Sequence, residues 1–307
     1  MDDAGKTSGE PVTLIAADGY RLGATLFPAA NGKVRAHLLM AGATGVPQGF
    51  YRRFAEYASQ RGFSVLTLDY RGVGQSRPAS LRGFRMSYLD WGRLDLAAAV
   101  DALHSERVPL YLVGHSFGGH ALGLLPNHRC ISACYSFGSG AGWAGWMPLL
   151  EGIKVRLLWH LILPPLVAWK GFMPWRLLGM GEDLPLSVYR DWKKWCRYPR
   201  DFFDDPDMAH LRQQYAEVRL PLLAATALDD PWAPPRSRDA FASGYRNAAL
   251  AVRDIAALPG GAPIGHMGYF RAAAQPLWDE MFDWFQASSL SDYFAIHGII
   301  APCPAKR

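Results

Sequence analysis

Cysteine is scarce in this chain, with four in 307 residues: Cys130, Cys134, Cys196 and Cys303. None forms a C-x-x-C pair and no Cys/His cluster has zinc spacing, so neither a disulfide-stapled scaffold nor a zinc module is indicated and the four read as reduced thiols. Excess charge is also small, at +5, and Lys and Arg are scattered without a run, which argues against nucleic acid as a partner. The glycine-bearing loop from Tyr70 to Ser76 is not a G-x-G-x-x-G for a dinucleotide, and there is no internal repeat. No apolar stretch reaches bilayer length unbroken. The nearest, residues 153–175, carries Lys154, Arg156, His160 and Lys170 and has Pro164-Pro165 in its middle. It reads as a buried or interfacial helix pair, which leaves peripheral membrane contact open. The opening residues, Met1-Asp2-Asp3-Ala4-Gly5-Lys6, lack the basic start and apolar core of a signal peptide, and a cytoplasmic protein is expected.

What is present is a core. Half the residues are apolar, mean hydropathy is −0.03, and aromatic content is 13% with 11 tryptophans, which excludes a disordered tail, a collagen-like fibre and a coiled coil. Extended runs at residues 12–17 and 20–27 flank Asp18-Gly19, a hairpin signal. Further strand-like runs lie at 35–40, 64–69, 110–113, 131–137, 221–227 and 249–254. Helical spacing falls between them at 50–61, 91–104, 118–125 and 235–245, and a closing helix at 276–286. Strands alternating with helices imply an α/β fold, a mostly parallel sheet covered on both faces. The rhythm breaks over residues 143–217. That segment holds seven of the eleven tryptophans and reads as a helical insertion. The division expected is therefore core 1–142, cap 143–217, core 218–286 and a tail 287–307 without clear signal.

The most informative stretch is Gly114-His115-Ser116-Phe117-Gly118, a G-x-S-x-G between a strand and a helix. A serine on that tight turn is held clear of the sheet, and the backbone N–H of Phe117 faces a developing oxyanion. A serine hydroxyl is a weak nucleophile and needs a base and an orienting acid. Of nine histidines, His266 stands out. It lies in the glycine-flanked loop Gly265-His266-Met267-Gly268 between the last strand and the last helix. His37, His104, His115, His120, His128, His160, His210 and His297 sit in strands, helices, the insertion or the tail. The acid should end a strand before His266, and Asp229 and Asp230 compete there. The chain order Ser, Asp, His is that of α/β-hydrolases.

With GHSFGG, DYRGVGQS, DDPWAP and a late Gly-His, residues 10–286 outside the insertion resemble the α/β-hydrolase superfamily, in particular its monoacylglycerol-lipase-like and serine-aminopeptidase-like branch. The resemblance implies the α/β-hydrolase fold with a cap over the serine and no cofactor or metal. It favours Asp230, which starts Asp-Pro-x-x-Pro, over Asp229, left as a turn residue. It places the second oxyanion donor in Ala41-Gly42-Ala43-Thr44-Gly45, on Ala43 N–H or, as second choice, Thr44; the family's usual His-Gly is here Ala41-Gly42. Asp69 and Arg71 read as structural. Trp143, Trp146, Trp159, Trp169 and Trp175, with Leu157, Leu158, Leu161 and Ile162, suggest an apolar cap interior. Thr44, Trp143, Trp146 and Trp159 are the candidate substrate contacts, and the basic stretch from Arg190 to Trp195 reads as a solvated face. The function expected is cofactor-independent hydrolysis of a small-molecule carboxylic ester with an apolar group, through an acyl-enzyme. The same residues would serve a thioesterase, an amidase or peptidase, or an acyltransferase. A non-catalytic ligand-binding protein is the alternative of another class. An aspartate-nucleophile dehalogenase is disfavoured by Ser116.

Overall fold

The protein is described from a computed structural model that covers residues 8–289. The opening residues Met1 to Lys6, most of the expected tail, His297 and Cys303 lie outside the described residues.

Eight strands form one sheet: β1 (Glu10–Ile15), β2 (Arg21–Phe27), β3 (Ala36–Ala41), β4 (Phe63–Leu68), β5 (Leu110–His115), β6 (Ala133–Phe137), β7 (Pro221–Ala227) and β8 (Ala249–Ile255). Their order is β1-β2-β4-β3-β5-β6-β7-β8. β1 and β2 are an antiparallel hairpin closed at Asp18-Gly19, where Gly19 has φ 83°, and β2 meets β4 antiparallel. Every later pairing is parallel. β4, β5, β6 and β7 are buried along their whole length, which is why they read as continuous apolar runs rather than alternating ones.

Helices cover both faces. On one, α1 (Arg52–Gln60) and α9 (Gln275–Ser289) pack Phe54, Trp278 and Phe282 together over β4. On the other lie α2 (Ala97–Leu103), preceded by a π turn at Trp91–Leu96, and α3 (Phe117–His120). The helix expected over 118–125 is shorter: one α turn, then a tighter 3-10 turn at Ala121–Leu124. The cause is close packing. A Cβ at Gly118 would sit 1.9 Å from the Ala41 carbonyl oxygen, and one at Gly123 would sit 2.4 Å from the Tyr215 ring.

Between β6 and β7, residues 143–217 carry α4 (Leu149–Leu157), α5 (Leu163–Lys170), α6 (Leu186–Trp195) and α7 (Ala209–Ala216). The expected break at Pro164-Pro165 is milder than the sequence suggests. The prolines sit in the first turn of α5, where a missing N–H costs little, and a π turn at Leu158–Ile162 links α4 to α5. The apolar cap interior also needs correction. Trp159 and Trp175 are buried, but Trp169 is 65% exposed, Leu161 67%, Leu157 49% and Ile162 42%. The cap is too thin to bury both sides of its helices. Cys134 and Cys196 are free thiols. α8 (Pro235–Ala242) completes the cover between β7 and β8. No helix among the described residues is long and apolar enough to cross a membrane.

Candidate active site

Three loops at the carboxyl ends of the parallel strands meet over β5. Ser116 follows β5 in the left-handed region, φ 53° and ψ −114°, where a non-glycine residue stores about 1–3 kcal/mol. Its Oγ lies 3.1 Å from His266 Nε2. His266 Nδ1 lies 2.9 and 3.1 Å from the two carboxylate oxygens of Asp230, at the end of the β7 turn. The structure thus brings Ser116, His266 and Asp230 into one hydrogen-bonded line.

Asp230 is 1% exposed. Burial works to raise its carboxyl, but the facing His266 and N–H donors from Ala233 and Trp232, at 3.0 and 2.9 Å, outweigh it and hold the group below the usual carboxylate range. Tyr269 Oη donates to it as well, at 3.0 Å. Asp230 is therefore an anion at neutral pH. Its contribution to stability is present above the ordinary carboxylate pKa and is lost as pH falls through the lowered one. Asp229 does something else. Its carboxylate accepts the N–H groups of Ile264 and Gly265 at 2.8 and 3.0 Å, tying down the stem of the His266 loop.

The oxyanion expectation divides. Phe117 N–H is the first donor of α3, without an intrahelical acceptor. Ala43 N–H, however, donates to Tyr51 Oη at 2.8 Å and is spent there, which corrects its assignment as oxyanion donor. Thr44, the second choice, borders the cleft, and its hydroxyl bonds Tyr88 Oη.

Two positioning residues carried no sequence signal of their own. His115 is fully buried one residue before the serine. Burial, reinforced by nearby His266, pushes its pKa down to about 3, so it is neutral. Its Nε2 is 2.9 Å from the His266 carbonyl oxygen and its Nδ1 is 2.9 Å from Tyr51 Oη. Since Tyr51 already accepts from Ala43 N–H, it donates to Nδ1, which leaves Nε2–H to hold the His266 backbone. Only the fold brings positions 43, 51, 115 and 266 together. Asp69 and Arg71 lie away from the serine: Asp69 accepts Gln48 and Gln75 N–H groups, and Arg71 bridges Asp95 and Asp18.

The cleft over Ser116 is partly open to solvent, and its sheltered part has a volume of about 40 Å3. Its aromatic walls are Tyr88, Phe117, Trp192, Trp195, Phe202 and Trp232. Of the four residues expected to touch substrate, only Thr44 lines it. Trp143 and Trp159 border a separate cavity of about 170 Å3 within the cap, and Trp146 borders neither. Trp159 sits one layer back, edge-on to Trp192 with ring centroids 5.2 Å apart. The residues missed, Trp192 and Trp195, are on α6, whose basic residues made it look like a solvated face. Helical spacing turns the tryptophans inward while Lys193 and Lys194 remain half exposed. No group of His, Cys, Asp and Glu among the described residues is arranged to hold a metal.

Sheet order, the serine turn and the inserted helices define an α/β-hydrolase architecture. Residues 32–137 match the family model described as serine aminopeptidase, S33. Solved structures agree over nearly the whole chain. A soluble variant of monoglyceride lipase from Saccharomyces cerevisiae, bound to a substrate analogue, superposes with TM-score 0.64 at 17% identity, covering 94% of this chain and 97% of that one. DcsB in complex with its substrate analogue gives 0.63 at 14%, covering 92% and 100%. An esterase from Pyrococcus furiosus gives 0.56 at 12%, covering 92% and 93%. No curated protein sequence matches the chain. The chain has the α/β-hydrolase fold, and its residues 32–137 are similar to the serine aminopeptidase family.

Proposed function

We propose that this protein is a serine hydrolase that cleaves a carboxylic ester through an acyl-enzyme. The observation that carries the reading is the continuous line from Ser116 Oγ through His266 to the buried anion of Asp230. Ser116 attacks the ester carbonyl while His266 Nε2 takes its proton. Asp230 holds the imidazole in the tautomer with Nδ1–H and stabilises the cation that forms. Phe117 N–H, with Thr44 N–H opposite, receives the oxyanion. His266 then protonates the departing alcohol, and water releases the acid by the same route in reverse.

The test is covalent. A fluorophosphonate should add to the folded protein with 1:1 stoichiometry, and the mass increase should map to the peptide containing Ser116. A folded protein inert to the probe would refute the reading. A panel of p-nitrophenyl esters and anilides then separates ester from amide cleavage.

The cap also favours a membrane surface as the place of work. Leu149, Leu150, Ile153, Leu157 and Leu161 recur at helical intervals along α4 and the π turn, and all are exposed. Trp169 and Leu177 are exposed as well, and Lys154 and Arg156 fall between these leucines along α4. Exposed apolar side chains interleaved with Lys154 and Arg156 suit an anionic lipid interface. The protein is expected to float with vesicles containing phosphatidylglycerol and to stay behind when Leu150→Asp and Leu161→Asp are combined. Equal flotation of the two proteins would remove the reading.

A further inference from the structure

The cleft over Ser116 has a charge that the hydrolase chemistry does not use. Asp201 is 4% exposed, lines the cleft, and has φ 58°, so its backbone is held in the left-handed region. Its carboxylate accepts N–H groups from Phe202 at 2.9 Å and Gly142 at 3.4 Å. A Cβ on Gly142 would lie 2.7 Å from Cys196 Sγ, so glycine is what fits between that thiol and the carboxylate. Neither hydrogen bond brings a positive charge, and no lysine or arginine lines the cleft. His120, which does line it, is driven neutral by burial, down to about 3. Burial also raises the Asp201 carboxyl, to about 6, so at pH 8 it is an anion. The titratable groups that feel it, Tyr88, Cys196 and Tyr215, are pushed by burial and by Asp201 itself further into their neutral forms. Six aromatic rings surround the same small space.

An uncompensated carboxylate inside an aromatic box is complementary to an organic cation. We propose that the cleft selects esters that carry an alkylammonium group, with Asp201 as its counter-ion and the rings of Trp192, Trp195 and Trp232 as its cation–π wall. The proposal rests on the serine-hydrolase reading and narrows its substrate class, adding a cationic group to the ester with an apolar group expected from the sequence.

The test compares butyrylcholine with its neutral carbon isostere, 3,3-dimethylbutyl butyrate, at pH 8. The cationic ester should be preferred by about thirtyfold in kcat/KM, and the ratio should fall towards one in Asp201→Asn. Equal turnover of both esters by the wild type overturns the cation site and leaves the hydrolase reading standing. If neither ester is turned over, a titration of tryptophan fluorescence decides the site separately. Saturable quenching by tetramethylammonium chloride, absent with sodium chloride and with tert-butanol, upholds it; no difference between the three overturns it.

Discussion

Ser116→Ala is expected to lower ester turnover by about a million-fold, with KM little changed. The size follows from the arrangement. Once the hydroxyl is gone, His266 has no nucleophile to activate, and what remains is binding plus whatever the Phe117 and Thr44 N–H groups give a water-derived oxyanion. The fold should be indifferent to the change, since the hydrogen bond of Ser116 Oγ among the described residues goes to His266. Ser116→Gly separates chemistry from strain. Glycine accepts φ 53° freely, so this variant should be equally inactive yet more stable than wild type by about 1 kcal/mol. Circular dichroism melts and p-nitrophenyl butyrate rates check both. Retention of more than a hundredth of the wild-type rate in Ser116→Ala would place the nucleophile elsewhere.

Asp230→Asn is expected to lower kcat by about ten-thousandfold, and Asp229→Asn by no more than about tenfold. The two carboxylates are neighbours in sequence and differ in what they face. Asp230 is buried against His266 Nδ1, and an amide there can present its NH2 to that nitrogen and trap the ring in the wrong tautomer. Asp229 faces the backbone of Ile264 and Gly265, and an asparagine oxygen still accepts one of those hydrogen bonds. Parallel kcat measurements on the two variants decide. The reverse order of effects would move the acid to Asp229.

The sequence determined by itself the elements whose signal is local. A parallel-sheet strand with both faces covered must be apolar end to end, so the runs at β4 through β7 are visible without a structure. The Asp18-Gly19 hairpin and the G-x-S-x-G turn are visible because each needs a left-handed or crowded backbone that few residue types tolerate. Chain order was enough to single out His266.

What the tertiary structure alone decided are contacts between distant positions. Ala43 stood as an oxyanion donor until Tyr51 was found to take its N–H, and His115 acquired a positioning role only when the fold set it against His266. The cap was the least legible part. Its seven tryptophans are spread over a loop, two short turns and the helices α5 and α6, and composition cannot tell which side of a thin layer faces the serine. Trp143, Trp146 and Trp159 were expected in the cleft, whereas Trp192, Trp195, Trp232 and Asp201 line it. A helix repeats its faces every 3.6 residues whatever it packs against, so periodicity shows that two sides differ, and only the neighbours across the gap say which one is the site.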